Sequence, residues 1–284
     1  MREAGKPDGL KHLRSSSSDL RQLFEQSINV REIAEPLASF DADANLAVIR
    51  SFMEERDFDL VGVREGGVVT GYALRSDLQG ELLATNRLLI TSAAILPDRA
   101  SLLEVFELLR DRGFVIITVS GAAWGIVTRG DLQKAPVRMW LFGLVTLTEM
   151  QMLRLVGLCY PNDGWREKDL VSSKRLQQAE ELFEIRRQKN EEIGLTECLQ
   201  LCDKASILGK TGTLLTDLCG TSKAKAEALF RQVEKLRNHL AHAQDIVTEH
   251  WPQMVDIVVA LEAFLGRCEA LNSDELEARV GRPG

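Results

Sequence analysis

The first half of this 284-residue chain contains an internal repeat. The segment Asp41 to Leu78 can be laid over Ile95 to Leu132 without a gap, and residues of equivalent type come into register throughout. In each copy, a stretch with helical spacing leads to two runs rich in branched residues, which predicts a strand–helix–strand–strand unit. A unit of this size buries too little apolar surface to be stable alone, so the two copies are expected to pack on each other.

Each copy closes with the same pattern of residues. The first ends on Gly71–Leu78 and the second on Gly125–Leu132. The second copy carries the complete pattern Gly-x-x-Thr-x-x-Asp, with Thr128 and Asp131 at its two polar positions. The repeat and this ending are each weak indicators alone, and together they are specific.

Together they resemble a tandem pair of CBS domains over most of residues 25–135. The resemblance implies an α+β fold built from β-α-β-β-α repeats. It also implies binding of AMP, ADP or ATP as a regulatory ligand, with the motif Thr and Asp on ribose and phosphate and the base in an apolar cleft. Thr128 and Asp131 match this pattern in full, whereas the first copy keeps Asp77 but has Leu74 at the threonine position. One occupied nucleotide site is therefore expected.

A purely structural interpretation of these aspartates stays open. Asp at a junction before a helix often caps that helix, and Asp77 and Asp131 both precede predicted helical segments. In that interpretation the pair of repeats is a packing unit without a ligand.

From Pro136 onward the strand pattern gives way to amphipathic helical stretches separated by short breakers, which predicts an all-helical bundle over residues 136–275. Residues 1–24 and 276–284 are expected to be flexible tails. Helices are predicted at about 136–159, 172–192, 196–208, 213–219, 222–247 and 252–268.

The predicted helix over 222–247 carries an unusual polar group. Its apolar positions form a stripe that should face a core, namely Leu229, Val233, Leu236, Leu240, Ala243 and Val247. His242 falls on the opposite side, and Asn238 lies one turn before it, where an amide can orient an imidazole. Arg237 is five residues from His242, which on a straight helix rotates it about 140° away. Three arrangements would complete the site. The long Arg237 side chain could wrap round the helix, the helix could begin near Arg237, or a symmetry-related copy of the chain could supply the second half of the site.

In this helical setting, Arg237-Asn238-x-x-x-His242 is similar to the signature of HEPN domains, a family of small helical bundles with many ribonucleases, over roughly 140–270. The resemblance implies metal-independent RNA cleavage by a homodimer whose two motifs face each other. His242 would then transfer protons, Arg237 would stabilise the phosphate, and Asn238 would fix the imidazole or a phosphate oxygen. Arg237 and Asn238 can also be explained, without catalysis, by hydrogen bonds within the bundle or across a dimer interface.

The leading hypothesis is an adenine-nucleotide-responsive, metal-independent endoribonuclease that acts on RNA as a homodimer. The helix at 136–159 would couple the two halves. The alternative is a nonenzymatic nucleotide sensor or adaptor, whose bundle mediates dimerisation or binds a partner protein. A toxin-like role with an antitoxin partner rests on family analogy.

Composition limits the remaining possibilities. A net charge of −7 and a pI near 5.3 argue against broad adhesion to nucleic acid or to an anionic membrane. Five scattered cysteines form neither a disulfide framework nor paired metal spacing, which favours a reducing, cytoplasmic location. The apolar run Met139 to Thr148 is shorter than the roughly 20 residues that span a bilayer, so a buried helix and no membrane association are expected.

Overall fold

The computed structural model describes residues 17–242, 245 and 251–271. These form two compact units, one of Ile28–Arg138 and one of the described residues on either side of that range.

Helices and strands occur in the following order. The helices are α1 Ser17–Ser27, α2 Leu46–Glu55, α3 Leu102–Leu109, α4 Ala135–Cys159, α5 Ser173–Gln188, α6 Leu201–Gly209, α7 Leu214–Cys219, α8 Lys223–Ala241 and α9 Trp251–Ala270. The strands are β1 Glu35–Pro36, β2 Ser39–Asp41, β3 Leu60–Glu65, β4 Val68–Leu74, β5 Leu88–Leu89, β6 Ile95–Pro97, β7 Phe114–Val119 and β8 Ala122–Thr128. The strands form two four-stranded sheets, in the orders β2-β3-β4-β5 and β1-β8-β7-β6.

The two copies have the same internal topology. In the first, β2 pairs in parallel with β3, which forms an antiparallel hairpin with β4. In the second, β6, β7 and β8 pair in the same way. Both hairpins shift register at the matching point of the repeat, between Val63 and Arg64 and between Ile117 and Thr118. The predicted pair of strand–helix–strand–strand units is therefore confirmed.

The two sheets exchange their edge strands. Strand β1 precedes the first copy in the chain, yet it pairs antiparallel with β8 of the second copy. Strand β5 precedes the second copy and pairs antiparallel with β4 of the first. Each sheet is therefore completed by the segment that leads into the other copy, and backbone hydrogen bonds join the two copies.

The sequence comparison suggested a gapless repeat, but the structure shows that the two copies differ in length within the helix. The side chain of Asn45 caps α2, and Ser101 caps α3 in a capping box with Glu104. A gapless alignment would put the second cap at Arg99. The difference arises because α2 has 10 residues and α3 has 8, so only the hairpins after these helices follow the constant spacing.

The closing helix of the predicted β-α-β-β-α repeat also differs. After β4 the first copy has a 3-10 turn at Arg75–Asp77, and after β8 the second copy has a 3-10 turn at Gly130–Gln133. Only the second is followed directly by an α-helix, α4.

Each copy buries one face of its helix against its sheet. Ile49 and Met53 of α2 are fully buried beside Val61 and Val63 of β3. The second copy buries the equivalent side chains of α3 and β7, including Val105, Leu109, Val115 and Ile117. The apolar spacing seen in the sequence accounts for both cores.

The other unit is helical, and one of its predicted helices is divided in two. The predicted helix at 196–208 is split into a 3-10 turn at Leu195–Cys198 and α6. Helix α8 ends at Ala241 and His242 is its C-cap, with backbone angles outside the helical range, while most of the predicted continuation to residue 247 lies outside the described residues.

Part of the predicted N-terminal tail is ordered as α1. Arg21 of that helix forms ion pairs with Glu262 at 2.5 Å and Glu269 at 2.9 Å, both on α9. The prediction of a flexible segment over residues 1–24 is therefore wrong for the residues from Ser17 onward. A carboxylate pair on a distant helix cannot be read from local sequence.

Helix α4 is longer than the apolar run seen in the sequence. With 25 residues it is long and apolar enough to cross a bilayer by length and composition alone, and 56% of its most apolar window is buried inside the structure. The core helix of a soluble protein meets the same criterion, so the absence of membrane association stays a prediction.

The exchanged strand β1 explains the glycine of the second motif. A Cβ on Gly125 would lie 2.9 Å from the carbonyl oxygen of Glu35 on β1. We expect Gly125→Ala to lower the free energy of unfolding by about 1–3 kcal/mol, because the strand must move aside. Urea denaturation measures this change.

Gly113→Ala provides the matched control in the same unit, because a Cβ there meets no atom within 4 Å. Its effect should stay within about 0.5 kcal/mol. Equal effects of the two substitutions would contradict the proposed crowding by β1.

Candidate functional site

The unit formed by Ile28–Arg138 contains a cleft of about 680 Å³ that is lined by both copies of the repeat. The first copy contributes the residues at the start of β3 and the end of β4, the second contributes the corresponding part of its own hairpin, and β1 closes the cleft with its flanking residues. The lining residues are Glu35, Pro36, Leu37, Ala38, Asp57, Phe58, Asp59, Leu60, Leu74, Gly113, Phe114, Ile126, Thr128, Arg129, Gly130 and Asp131.

Strand alternation gives the cleft its apolar wall. Gly125 and Val127 of β8 are buried, so the side chains of Ile126 and Thr128 point to the opposite face, which lines the cleft. Leu74 and Phe114 line it as well. The ring of Phe114 also packs edge-on against another aromatic ring, that of Tyr72, at 5.1 Å between centroids. The wall therefore presents flat and branched apolar side chains next to one hydroxyl.

Thr128 and Asp131 form a single hydrogen-bonded group. One carboxylate oxygen of Asp131 accepts from the Thr128 amide at 2.7 Å and from the Thr128 hydroxyl at 2.9 Å. Asp131 is therefore bonded back to the strand and does not use these bonds to cap a following helix, as the structural interpretation proposed. Burial and these bonds hold its carboxylate in a fixed orientation at the cleft.

Lys134 connects this group to β1 and to α4. Its ammonium donates to the second carboxylate oxygen of Asp131 at 2.8 Å, to the carbonyl of Ile33 at 2.7 Å and to the carboxylate of Glu35. Burial lowers the pKa of Lys134, but the hydrogen bonds to Asp131 and Glu35 outweigh it, so the pKa is raised. The lysine stays charged and ties together two elements that line the cleft.

The motif of the first copy contributes only an apolar residue to the cleft. Leu74, at the threonine position, lines the same cleft as Thr128 and adds to its apolar wall. Asp77 does not line this cleft; it is exposed and accepts from the hydroxyl of Ser76 at 2.6 Å. The three predicted nucleotide-binding residues are therefore not brought together, and only Thr128 and Asp131 share the cleft.

Sequence reasoning missed two acidic residues on the rim of the cleft. Asp57 and Asp59 line it with side chains that are 91% and 87% exposed, and Arg75 pairs with them at 3.1 and 2.6 Å. Arg129 is the repeat counterpart of Arg75, and Gly113 is the counterpart of Asp59. This charge difference between the aligned copies is the signal that could have revealed the rim.

The arginine of the second copy forms different hydrogen bonds from those of Arg75, and the counterpart of Asp59 in that copy is Gly113, which has no side chain. The Arg129 guanidinium donates to the backbone carbonyls of Leu109 and Arg110 at the end of α3, each at 3.1 Å. It therefore holds the C-terminus of that helix, where a cation is electrostatically favoured.

The polar motif on α8 lies in the helical unit. Arg237 donates to the Glu149 carboxylate of α4 at 2.8 Å, and both side chains are partly exposed. Asn238 and His242 are exposed, and the backbone amide of His242 bonds to the carbonyl of Asn238 at 3.1 Å. The three predicted catalytic residues thus occupy the last turns of α8, with the arginine engaged in an ion pair.

The end of α8 changes the geometric argument for His242. The expected angle between Arg237 and His242 assumed a straight helix, whereas His242 is the C-cap with φ of −102°. The apolar stripe is buried at Leu229, Val233 and Leu236, as predicted, whereas Leu240 is only half-buried. Its last two positions, Ala243 and Val247, lie outside the described residues.

A buried lysine lies in the electrostatic environment of Arg237 and Glu149. Lys204 of α6 is 6% exposed and donates to the carbonyl of Leu199 at 2.7 Å. Burial lowers its pKa, while the charges of Glu149 and Asp203 oppose that shift. Glu149 thus pairs with Arg237 and also lies close enough to Lys204 to favour the charged form of that lysine.

The chain matches no protein-family model and no curated protein. Solved structures that are similar include the CBS domain of the bacterial CNNM/CorC family Mg²⁺ transporter in complex with ATP. That match has 21% identity and a TM-score of 0.34, and it covers 41% of this chain and 92% of the other. CBSX2 in complex with AMP matches at 15% identity and a TM-score of 0.35, covering 40% and 98%.

A third similar structure is the CBS domain of a CBS domain-containing membrane protein from Sphaerobacter thermophilus, with 14% identity, a TM-score of 0.34, and coverage of 40% and 91%. At such TM-scores these likenesses do not bear on what this chain binds. The α+β repeat pair is established here by its own topology. The HEPN-like character of the helical unit stays a prediction.

The contribution of the Arg237–Glu149 ion pair to stability can be measured directly. In a double-mutant cycle of Arg237→Ala and Glu149→Ala, we expect a coupling energy of about 0.2–1 kcal/mol in the free energy of unfolding, because the pair is partly exposed to solvent. Denaturant unfolding at low and high salt provides the readout. Strictly additive effects at low salt would show that the ion pair does not contribute to stability.

Proposed function

We propose that this chain is an adenine-nucleotide-responsive regulatory protein, in which the cleft of the repeat pair binds the nucleotide and the helical unit carries the response. The observation that supports this most is the fixed Asp131 carboxylate beside an apolar wall.

The donor and acceptor inventory of the cleft fits a ribose. A carboxylate has about four lone-pair positions. The bonds of Asp131 to Thr128 and Lys134 account for three of them. Because the Thr128 hydroxyl donates to Asp131, its oxygen offers acceptor positions as well. A ribose diol supplies donors for such acceptors, and Leu74, Phe114 and Ile126 would cover the faces of the base.

The size of the cleft is also suitable. At about 680 Å³ it falls within the roughly 300–1,000 Å³ typical of small-molecule sites.

Lys134 provides the proposed route to the helical unit. It bonds to Asp131 and is followed directly by the first residue of α4. A ribose hydroxyl that donates to Asp131 competes with Lys134 for the same carboxylate, and can thereby affect the start of α4. For this to regulate the protein, the nucleotide must bind the two arrangements of α4 with different affinities.

Calorimetric titration with AMP, ADP and ATP tests the nucleotide site. We expect Asp131→Ala to weaken binding by about 10- to 100-fold, equivalent to the 1.5–3 kcal/mol of a hydrogen bond to a charged group. Asp77→Ala, the repeat counterpart outside the cleft, should leave binding unchanged.

Thermal unfolding of both variants without ligand controls for loss of structure. An absence of binding by the wild-type protein, or equal weakening by the two substitutions, would overturn the proposed nucleotide site.

A second candidate function is metal-independent RNA cleavage by a homodimer. It is favoured by the location of Arg237, Asn238 and His242 in the last turns of one helix, where the amide and the imidazole are exposed. In this function, phosphate binding competes with Glu149 for the guanidinium of Arg237. A partner protein or antitoxin, if one binds, would be a further ligand of the helical unit.

Incubation with mixed tRNA and ribosomal RNA in EDTA tests this second function, with each adenine nucleotide present in turn. We expect cleavage to fall by about 100-fold or more in Arg237→Ala and in His242→Ala, because proton transfer and charge stabilisation each contribute that much. Arg231→Ala, an exposed arginine of the same helix outside the motif, is the control and should retain activity.

Size-exclusion chromatography of each variant separates loss of cleavage from loss of the dimer. Intact RNA under every nucleotide condition would reject the nuclease and leave the nonenzymatic sensor or adaptor.

A further inference from the structure

Acidic residues outnumber basic residues around the cleft. Of the described residues that line it, Glu35, Asp57, Asp59 and Asp131 are acidic, and Arg129 alone is basic. Polyphosphate sites in proteins usually show the opposite balance, with several cations and backbone amides around the phosphates. The imbalance therefore bears on which nucleotide the cleft can accept.

The cations beside this cleft are held by the protein. The Arg129 guanidinium bonds to two carbonyls at the end of α3. Lys134 bonds to Asp131 and Glu35, so its charge is balanced within the cleft wall. Arg75 bridges Asp57 and Asp59, one cation between two carboxylates. A phosphate chain would have to displace a carboxylate to gain Lys134 or Arg75, and it would compete with two backbone carbonyls for Arg129.

The two rim carboxylates are placed to act on the exposed end of a ligand. The side chains of Asp57 and Asp59 are almost fully exposed, whereas Asp131 is buried. In the proposed pose, with the ribose at the buried Asp131 and the base against the apolar wall, the 5′ substituent extends towards the exposed side of the cleft. There it meets the field of the rim, and each added phosphate increases the repulsion.

We infer that Asp57 and Asp59 set the specificity of the cleft for adenosine or AMP and against ADP and ATP. This inference rests on the proposed nucleotide function. The apolar wall and the Thr128–Asp131 group provide affinity for the nucleoside, and the acidic rim penalises the phosphate chain. The second copy has Gly113 at the position of Asp59, and its Asp111, the counterpart of Asp57, does not line the cleft, so both rim carboxylates come from the first copy.

Calorimetric titrations with adenosine, AMP and ATP in EDTA at low salt test the inference, because free ATP then keeps its full charge. We expect wild-type protein to bind AMP at least about tenfold more tightly than ATP. In Asp57→Asn/Asp59→Asn, ATP affinity should rise by about threefold to tenfold, with adenosine affinity unchanged. Added salt should narrow the difference between AMP and ATP in the wild type.

Glu107→Gln/Asp111→Asn is the matched control. It removes the same number of negative charges from exposed positions of the second copy that do not line the cleft, and Asp111 is the repeat counterpart of Asp57. It should leave the ratio of AMP to ATP affinity unchanged. An equal effect of both double variants would mean that net charge, not the rim, determines selectivity, and would overturn the inference.

Two other outcomes separate this inference from the proposed function. If adenosine and AMP bind but ATP binds as tightly or more tightly, the rim does not discriminate, and the inference fails while the nucleotide site stands. If neither adenosine nor any nucleotide binds, the proposed function itself fails.

Discussion

The exchange of β1 and β5 between the two sheets is the interaction on which the rest of the repeat unit depends. Each strand has only two residues, and each pairs with the hairpin of the copy that it does not lead into. Short isolated strands are not stable in water, so these pairs persist only because both hairpins are in place. The same exchange brings β1 to the cleft, where Glu35 and its neighbours form one wall. The binding site is thus a product of the pairing between copies and belongs to neither copy alone.

Duplication followed by divergence explains how a symmetric scaffold presents an asymmetric cleft. The aligned residues Leu74 and Thr128 line the same space with different chemistry, one apolar and one a hydroxyl bonded to Asp131. The aligned arginines also differ, since Arg75 pairs with two carboxylates and Arg129 with two carbonyls. Equivalent backbones therefore position different groups, and the ligand is expected to bind in one orientation.

Much of the fold could be predicted, because local spacing determines it. The hairpins of both copies follow the constant repeat, and the apolar periodicity of α8 identifies its buried face. The two-residue strands could not be predicted, since they carry no periodicity and pair across long stretches of chain. The sequence carries no glycine or proline at the C-cap of α8, His242, and therefore offers no local signal for the non-helical backbone angles found there. Thr128 and Asp131 were found from their motif, whereas Asp57 and Asp59 resemble an ordinary polar turn until the cleft is seen.

Because Glu35 pairs with Ile126, strand β1 cannot dock during synthesis until β8 has been made. The two residues are roughly 90 positions apart, so a ribosome adding roughly 5–20 residues per second needs on the order of several seconds or more to produce the partner of β1. During that interval the nascent first copy has neither β1 docked on a sheet nor a closed ligand cavity. Any small molecule that stabilises the finished cleft can act only after β8 has left the exit tunnel, so it cannot assist the first copy while that copy emerges alone.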